Sequence, residues 1–195
     1  MSAPETTPGA SPSLLERLGR SRSGLPLGRP GPWVIVAAWG PCGYAPLAPG
    51  TAGTLGAIPL FWLLRGLPLP LYLVTLLGLF AIGVYAADRA GAYWQVADAS
   101  PIVIDEVVGY LVTVALVPWS WPAAIAAFLL FRVMDVVKPW PASAFDRVKN
   151  GFGVVLDDVA AGVYAYLAFE VLRLGLRHFL GCGGGPHFWC AEFFQ

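Results

Sequence analysis

The chain has 195 residues, enough for one domain, of which 57% are apolar and only 12% charged. Ordinary soluble domains carry about 25% charged residues, so there is too little charge here to coat a globule, and the mean hydropathy of +0.65 agrees. Lys+Arg and Asp+Glu balance at 12 each, which excludes the basic excess of a nucleic-acid-binding protein, and 3 cysteines are too few for a complete disulfide framework and favour a reducing compartment.

Residues 1–30 are rich in Ser, Pro and Gly and include Arg17, Arg20, Arg22 and Arg29. That composition predicts a disordered arm rather than a signal peptide. Residues 30–64, 66–87 and 107–131 then carry no charged side chain. A transmembrane helix needs roughly 20 apolar residues, and 71–87 is the cleanest candidate. The first stretch is interrupted by Gly40-Pro41, Pro46, Pro49-Gly50 and Gly53, so only 55–64 reads as continuous helix. The third holds Pro118-Trp119-Ser120-Trp121-Pro122, which predicts a turn between two helices with both tryptophans at a membrane interface.

The expected fold is therefore all-α: a compact, membrane-embedded bundle of short helices arranged as helical hairpins. One hairpin joins 55–64 to 71–87, a second joins 107–117 to 123–134, and a last helix spans 157–177. The helical domain covers 31–178, and 179–195 reads as a Gly-rich, aromatic tail. A soluble bundle with an apolar core is the alternative. His178 and His187 lie away from every motif, and Cys182, His187 and Cys190 are too few and too irregular for a metal cluster. Because hairpins go out and return, segments 40–54, 88–106 and 132–158 all emerge at one end of the bundle. Only Arg65, Arg173 and Arg177 lie away from that end and the N-terminal arm, so the positive-inside bias turns the motif end to the cytoplasm.

Three motifs occupy that end. The first, Ala48-Pro-Gly-Thr-Ala-Gly-Thr-Leu55, places two glycines and two threonines before an apolar helix. Thr51 or Thr54 suits a helix cap, and bare glycine backbone lets an anion approach. In the second, Asp105-Glu106 opens an apolar helix, with Asp98 in the polar loop before it. The third runs from Phe131-Arg132 through Asp135, Lys138-Pro-Trp-Pro141, Asp146-Arg147 and Lys149 to Asp157-Asp158. Arg132, Asp135 and Lys138 are spaced to share a helix face. Asp135, Asp146 and Asp157 fall eleven residues apart, but the intervening prolines and glycines forbid one continuous helix, so folding must bring them together. Oxygen ligands of this kind suit Mg²⁺ with a phosphate, and interleaved bases suit the phosphate oxygens. A solvated rim of salt bridges is the competing reading.

These motifs, Ala48-Pro-Gly-Thr-x-Gly-Thr-Leu, Asp105-Glu-x-x-Gly, Phe131-Arg-x-x-Asp-x-x-Lys-Pro-Trp-Pro, Asp146-Arg and Gly153-Val-x-x-Asp-Asp-x-x-Ala-Gly162, resemble the bacterial phosphatidylglycerophosphatase A family over about residues 35–176. The resemblance implies a small helical protein of the bacterial inner membrane. It would be a Mg²⁺-dependent phosphatase converting phosphatidylglycerophosphate to phosphatidylglycerol and phosphate. It would make Asp105, Glu106, Asp135, Asp157 and Asp158 metal-ligand or acid–base residues. Arg132, Lys138 and Arg147 would hold phosphate, and Gly50, Thr51, Gly53 and Thr54 would line the pocket. Either a water activated by the cation or one aspartate would attack phosphorus. The partners implied are the phospholipid and the membrane, with no nucleic acid; no oligomeric state follows. The Asp-Gly-x-x-Ala-Arg pattern of CDP-alcohol phosphatidyltransferases is absent. A non-catalytic membrane protein that binds lipid or cation is the alternative from another class.

Overall fold

The computed structural model describes residues 29–179; the arm and the tail, with Cys182, His187 and Cys190, lie outside them. The described residues form seven α-helices and no strand: α1 (Pro32–Ala37), α2 (Pro49–Leu64), α3 (Leu69–Trp94), α4 (Ile104–Thr113), α5 (Trp121–Val137), α6 (Ala142–Phe145) and α7 (Gly151–Phe179). A 3-10 turn at Cys42–Tyr44 links α1 to α2.

Local chemistry sets the boundaries. Proline occupies the first turn of α1, α2, α3 and α5, where its fixed φ favours the helix and its missing N–H is no loss. Ser120 caps α5 by accepting from the Ala123 N–H at 3.2 Å, so the expected turn at Trp119–Trp121 is present. Asp88 on α3 accepts from the Gly151 N–H at 2.5 Å and so ties the start of α7 to α3. Gln95 and Lys138 end α3 and α5 in the left-handed region, with φ of 56° and 44°.

Of the two expected hairpins, α4–α5 is found. α2 and α3 follow one another as expected but do not pack together as a hairpin, since α2 packs on α4 and α3 packs on α1, α4 and α7. The helix ends also move. α2 begins at Pro49, so Gly50, Thr51, Gly53 and Thr54 belong to its first turns instead of a loop before it. Neither threonine caps it: the N-cap is Ala48, and the Thr54 hydroxyl donates to the Gly50 carbonyl at 2.8 Å. α7 begins at Gly151, so Asp157 and Asp158 lie inside the helix rather than at its entry. α4 is only ten residues long and ends at Thr113, short of the expected 117.

α7 is the central post and packs against α3, α4, α5 and α6. Its buried face (Val155, Ala161, Ala165, Phe169) meets Val107, Val108 and Leu111 of α4 and Phe131 of α5. Small residues bring α4 and α7 close: a Cβ on Gly162 would stand 2.3 Å from the Gly109 carbonyl oxygen. α3 and α7 are long and apolar enough to cross a membrane. Only 17% of the most apolar stretch of α3 is buried, and Leu71, Leu73, Val74 and Leu77 face outward. α3 therefore does not have the surface of a helix in a soluble core.

Candidate active site

The motifs converge on a cavity of about 340 Å³ where α4, α5 and α7 meet. α4 contributes Asp105 and Glu106, α5 and its C-cap contribute Arg132, Asp135 and Lys138, and α7 contributes Asp157 and Asp158. Asp146, just after α6, and Asp98, in the loop before α4, complete the charged wall. All five carboxylates singled out in the sequence are gathered here, with two of the three bases.

The charges divide into two groups. In the first, cations are already engaged. Lys138 donates to Asp146 at 3.0 Å and to Asp157, so one ammonium joins two of the three aspartates spaced by eleven. Arg132 Nη1 lies 2.7 Å from Asp135 Oδ2 and 3.8 Å from Glu106 Oε1, ion pairs without an aligned hydrogen bond at that nitrogen.

The second group is Asp105, Glu106 and Asp158. One oxygen from each lies within 4.8 Å of the others. Asp105 Oδ1, Glu106 Oε2 and Asp158 Oδ2 are buried and have no hydrogen-bond partner. An ionic rim does not look like this, because rim carboxylates reach water. Two buried carboxyls and a half-buried one, each with a buried oxygen that lacks a partner, must hold protons or share a cation. The all-oxygen donor set fits a hard divalent cation.

The electrostatics agree. Burial, and then the neighbouring Glu106, push the Asp105 carboxyl well above the usual carboxylate range. Burial raises Glu106 to about 8. Burial alone would lower the Lys138 ammonium, but the hydrogen bond and charge of Asp157 outweigh it and hold the lysine charged. The Lys138 hydrogen bond in turn lowers Asp146.

The glycine-threonine motif stands behind this wall. A Cβ on Gly50 would fall 2.0 Å from Glu106 Oε1 and 3.1 Å from Arg132 Nη1, so bare backbone is needed for both side chains to reach the cavity. Gly53 packs on Val103, and Thr54 is fully buried. Gly50, Thr51, Gly53 and Thr54 are not among the cavity-lining residues, and neither is Arg147, which is exposed. Asp98 and Asp146 are the lining carboxylates that were not assigned a role from sequence. The eleven-residue spacing pointed to Asp146, and Asp98 was noted only for its place in the polar loop before Asp105. His178 ends α7 against Phe179, away from the cavity.

The family model described as phosphatidylglycerophosphatase A matches residues 35–173. An Escherichia coli (strain K12) protein named phosphatidylglycerophosphatase A is 39% identical over 155 residues, 77% of this chain and 84% of its own length. A Haemophilus influenzae protein of the same name is 41% identical over 129 residues, 65% of this chain and 79% of its own. A Bacteroides thetaiotaomicron protein named putative phosphatidylinositol-3-phosphatase is 39% identical over 149 residues, 72% of this chain and 92% of its own. No solved structure matches significantly.

Proposed function

The chain belongs to the phosphatidylglycerophosphatase A family, and from that premise we propose that it hydrolyses the terminal phosphate monoester of phosphatidylglycerophosphate, using Mg²⁺. The observation that carries the reading is the trio Asp105, Glu106 and Asp158, with their orphaned oxygens in one cavity. These three would hold the cation. Mg²⁺ would neutralise charge on the phosphate and acidify an attacking water.

The chain's own side chains account for the rest. The guanidinium of Arg132 and the ammonium of Lys138 line the cavity and would take the non-bridging phosphate oxygens. Asp135 and Asp157 hold those two bases in place. A carboxylate of the cluster accepts the proton of the attacking water. The oxygen of that water bonds to phosphorus, the P–O bond to glycerol breaks, and the departing glycerol oxygen takes up a proton. The outward apolar face of α3 and the length of α7 support a site embedded in a membrane, where a lipid headgroup arrives from the side. We place that membrane as the bacterial inner membrane, with the site toward the cytoplasm.

The test is phosphate release from phosphatidylglycerophosphate in detergent micelles, with Mg²⁺ and with EDTA. Release is expected with Mg²⁺ and not with EDTA. Phosphatidylinositol 3-phosphate, run alongside, decides whether the name of the Bacteroides relative describes this chain better. Because Glu106 must lose a proton that burial holds to about pH 8, the Mg²⁺ concentration for half-maximal rate falls as pH rises toward that value. Folded wild type that binds lipid or cation but releases no phosphate from either lipid leaves the non-catalytic reading.

Gly50→Ala is a second check. Its added carbon collides with the flexible end of Glu106, so the fold survives and the carboxylate moves. A displacement of about 1 Å at a reacting group costs about 10²-fold in rate. The expected result is a loss of that order in kcat/KM with the melting temperature unchanged; wild-type kcat/KM in a folded variant refutes the role given to the glycine.

A further inference from the structure

A second, wider cleft of about 630 Å³ lies beside the acidic cavity and shares Asp98, Val136, Lys138 and Asp146 with it. The family reading leaves it without a use. A monoester phosphate held in the acidic cavity leaves the rest of its headgroup to extend through that shared wall. In phosphatidylglycerophosphate the next charged group along the molecule is the phosphodiester. Placing a diester anion beside Asp98 and Asp146 is unfavourable unless a cation faces it.

The cations near the shared wall are not equivalent. Arg132 sits against Asp135 and Glu106, and Lys138 is held by Asp146 and Asp157. Lys149 lines only the wider cleft of the two. Its ammonium donates to the Asp146 carbonyl oxygen at 2.8 Å and forms no ion pair with a carboxylate among the described residues. One hydrogen bond aims the group, and an ammonium has three donors. The ammonium is exposed at the cleft, and its charge acts on Asp146 without an ion-pair contact.

We propose that the wider cleft is the subsite for the phosphodiester of the lipid headgroup and that Lys149 is its specificity-determining cation. The inference rests on the phosphatase reading and deepens it. Monoester chemistry stays in the acidic cavity, and Lys149 selects substrates that carry a second phosphate.

The experiment compares full-length wild type, Lys149→Gln and Lys149→Arg with Mg²⁺. The substrates are phosphatidylglycerophosphate and phosphatidic acid, a lipid monoester with no diester. Phosphatidylglycerol and inorganic phosphate serve as inhibitors. Lys149→Gln is expected to raise KM for phosphatidylglycerophosphate about three- to tenfold with kcat unchanged. It weakens inhibition by phosphatidylglycerol by a similar factor and leaves phosphatidic acid hydrolysis and inhibition by inorganic phosphate as in wild type. Lys149→Arg restores KM. An unchanged KM with undiminished phosphatidylglycerol inhibition overturns the subsite, as does an equal loss on both substrates. If wild type hydrolyses neither lipid, the phosphatase reading falls first and takes the subsite with it; an active wild type with an indifferent Lys149→Gln removes the subsite alone.

Discussion

Replacing Asp158 with Asn is expected to lower kcat for phosphatidylglycerophosphate by about 10³-fold or more while the protein becomes harder to melt in EDTA. The two effects share one cause. Asp158 is 3% exposed, and its Oδ2 is one of three orphaned carboxylate oxygens in the cluster. Asn keeps the shape of the side chain and removes its charge. Without a divalent cation, that relieves repulsion against Asp105 and Glu106, so the folded state gains. With the cation, the variant has lost a ligand and the neutralising partner of the phosphate. Mg²⁺ therefore raises the wild-type melting temperature and leaves that of Asp158→Asn where it was. The two melting curves should change order between EDTA and saturating Mg²⁺. Activity within tenfold of wild type, or a variant that responds to Mg²⁺ as wild type does, removes Asp158 from the cation site.

Much of the architecture could be read from the chain because charge is so scarce in it. Three uncharged stretches had to become helices or their turns, and the residues between them had to share an end. Ser120 between two tryptophans marked the start of α5 by ordinary capping chemistry. The aspartates at 135, 146 and 157 were predicted to meet through folding, and Lys138 joins the last two of them. Most of what escaped the sequence was set by tertiary contact. Gly50 and Gly53 looked like a loop, yet they are helical: glycine is required there by the closeness of Glu106 and Val103, not by an unusual φ. The start of α7 at Gly151 has an overlooked local signal, Asn150, whose side chain accepts from the Gly153 N–H at 2.9 Å, and a tertiary one that no local pattern reveals, Asp88, 63 residues earlier. Arg147 shares a motif with Asp146 but is exposed, because α6 ends there and neighbouring side chains diverge.

The geometry of the cluster depends on how closely α4 and α7 approach, and Gly109→Ala tests that directly. A Cβ at this position would meet the Phe131 ring at 2.6 Å and the Asp158 carbonyl oxygen at 2.7 Å. Neither obstacle is the free end of a flexible side chain, so helices must shift. α4 is not the one free to do so. Eight of its ten residues are buried. The Leu111 carbonyl accepts from the Tyr72 hydroxyl at 2.7 Å, and the Tyr110 hydroxyl donates to the Ala124 carbonyl at 3.1 Å. Any shift that separates α4 from α7 moves Asp158 relative to Asp105 and Glu106. Overpacking of this kind costs about 1–3 kcal/mol, and a shift of a reacting group by about 1 Å costs about 10²-fold in kcat. Gly78→Ala on α3, where an added carbon meets nothing within 4 Å, provides the control. It should leave kcat alone and stabilise by about 0.5–1 kcal/mol, the ordinary gain for Ala over Gly inside a helix. Gly109→Ala should lose both kcat and the Mg²⁺-induced rise in melting temperature. If it loses stability alone and keeps both of those, the spacing of α4 and α7 sets only the packing, and the three carboxylates do not act as one cation site.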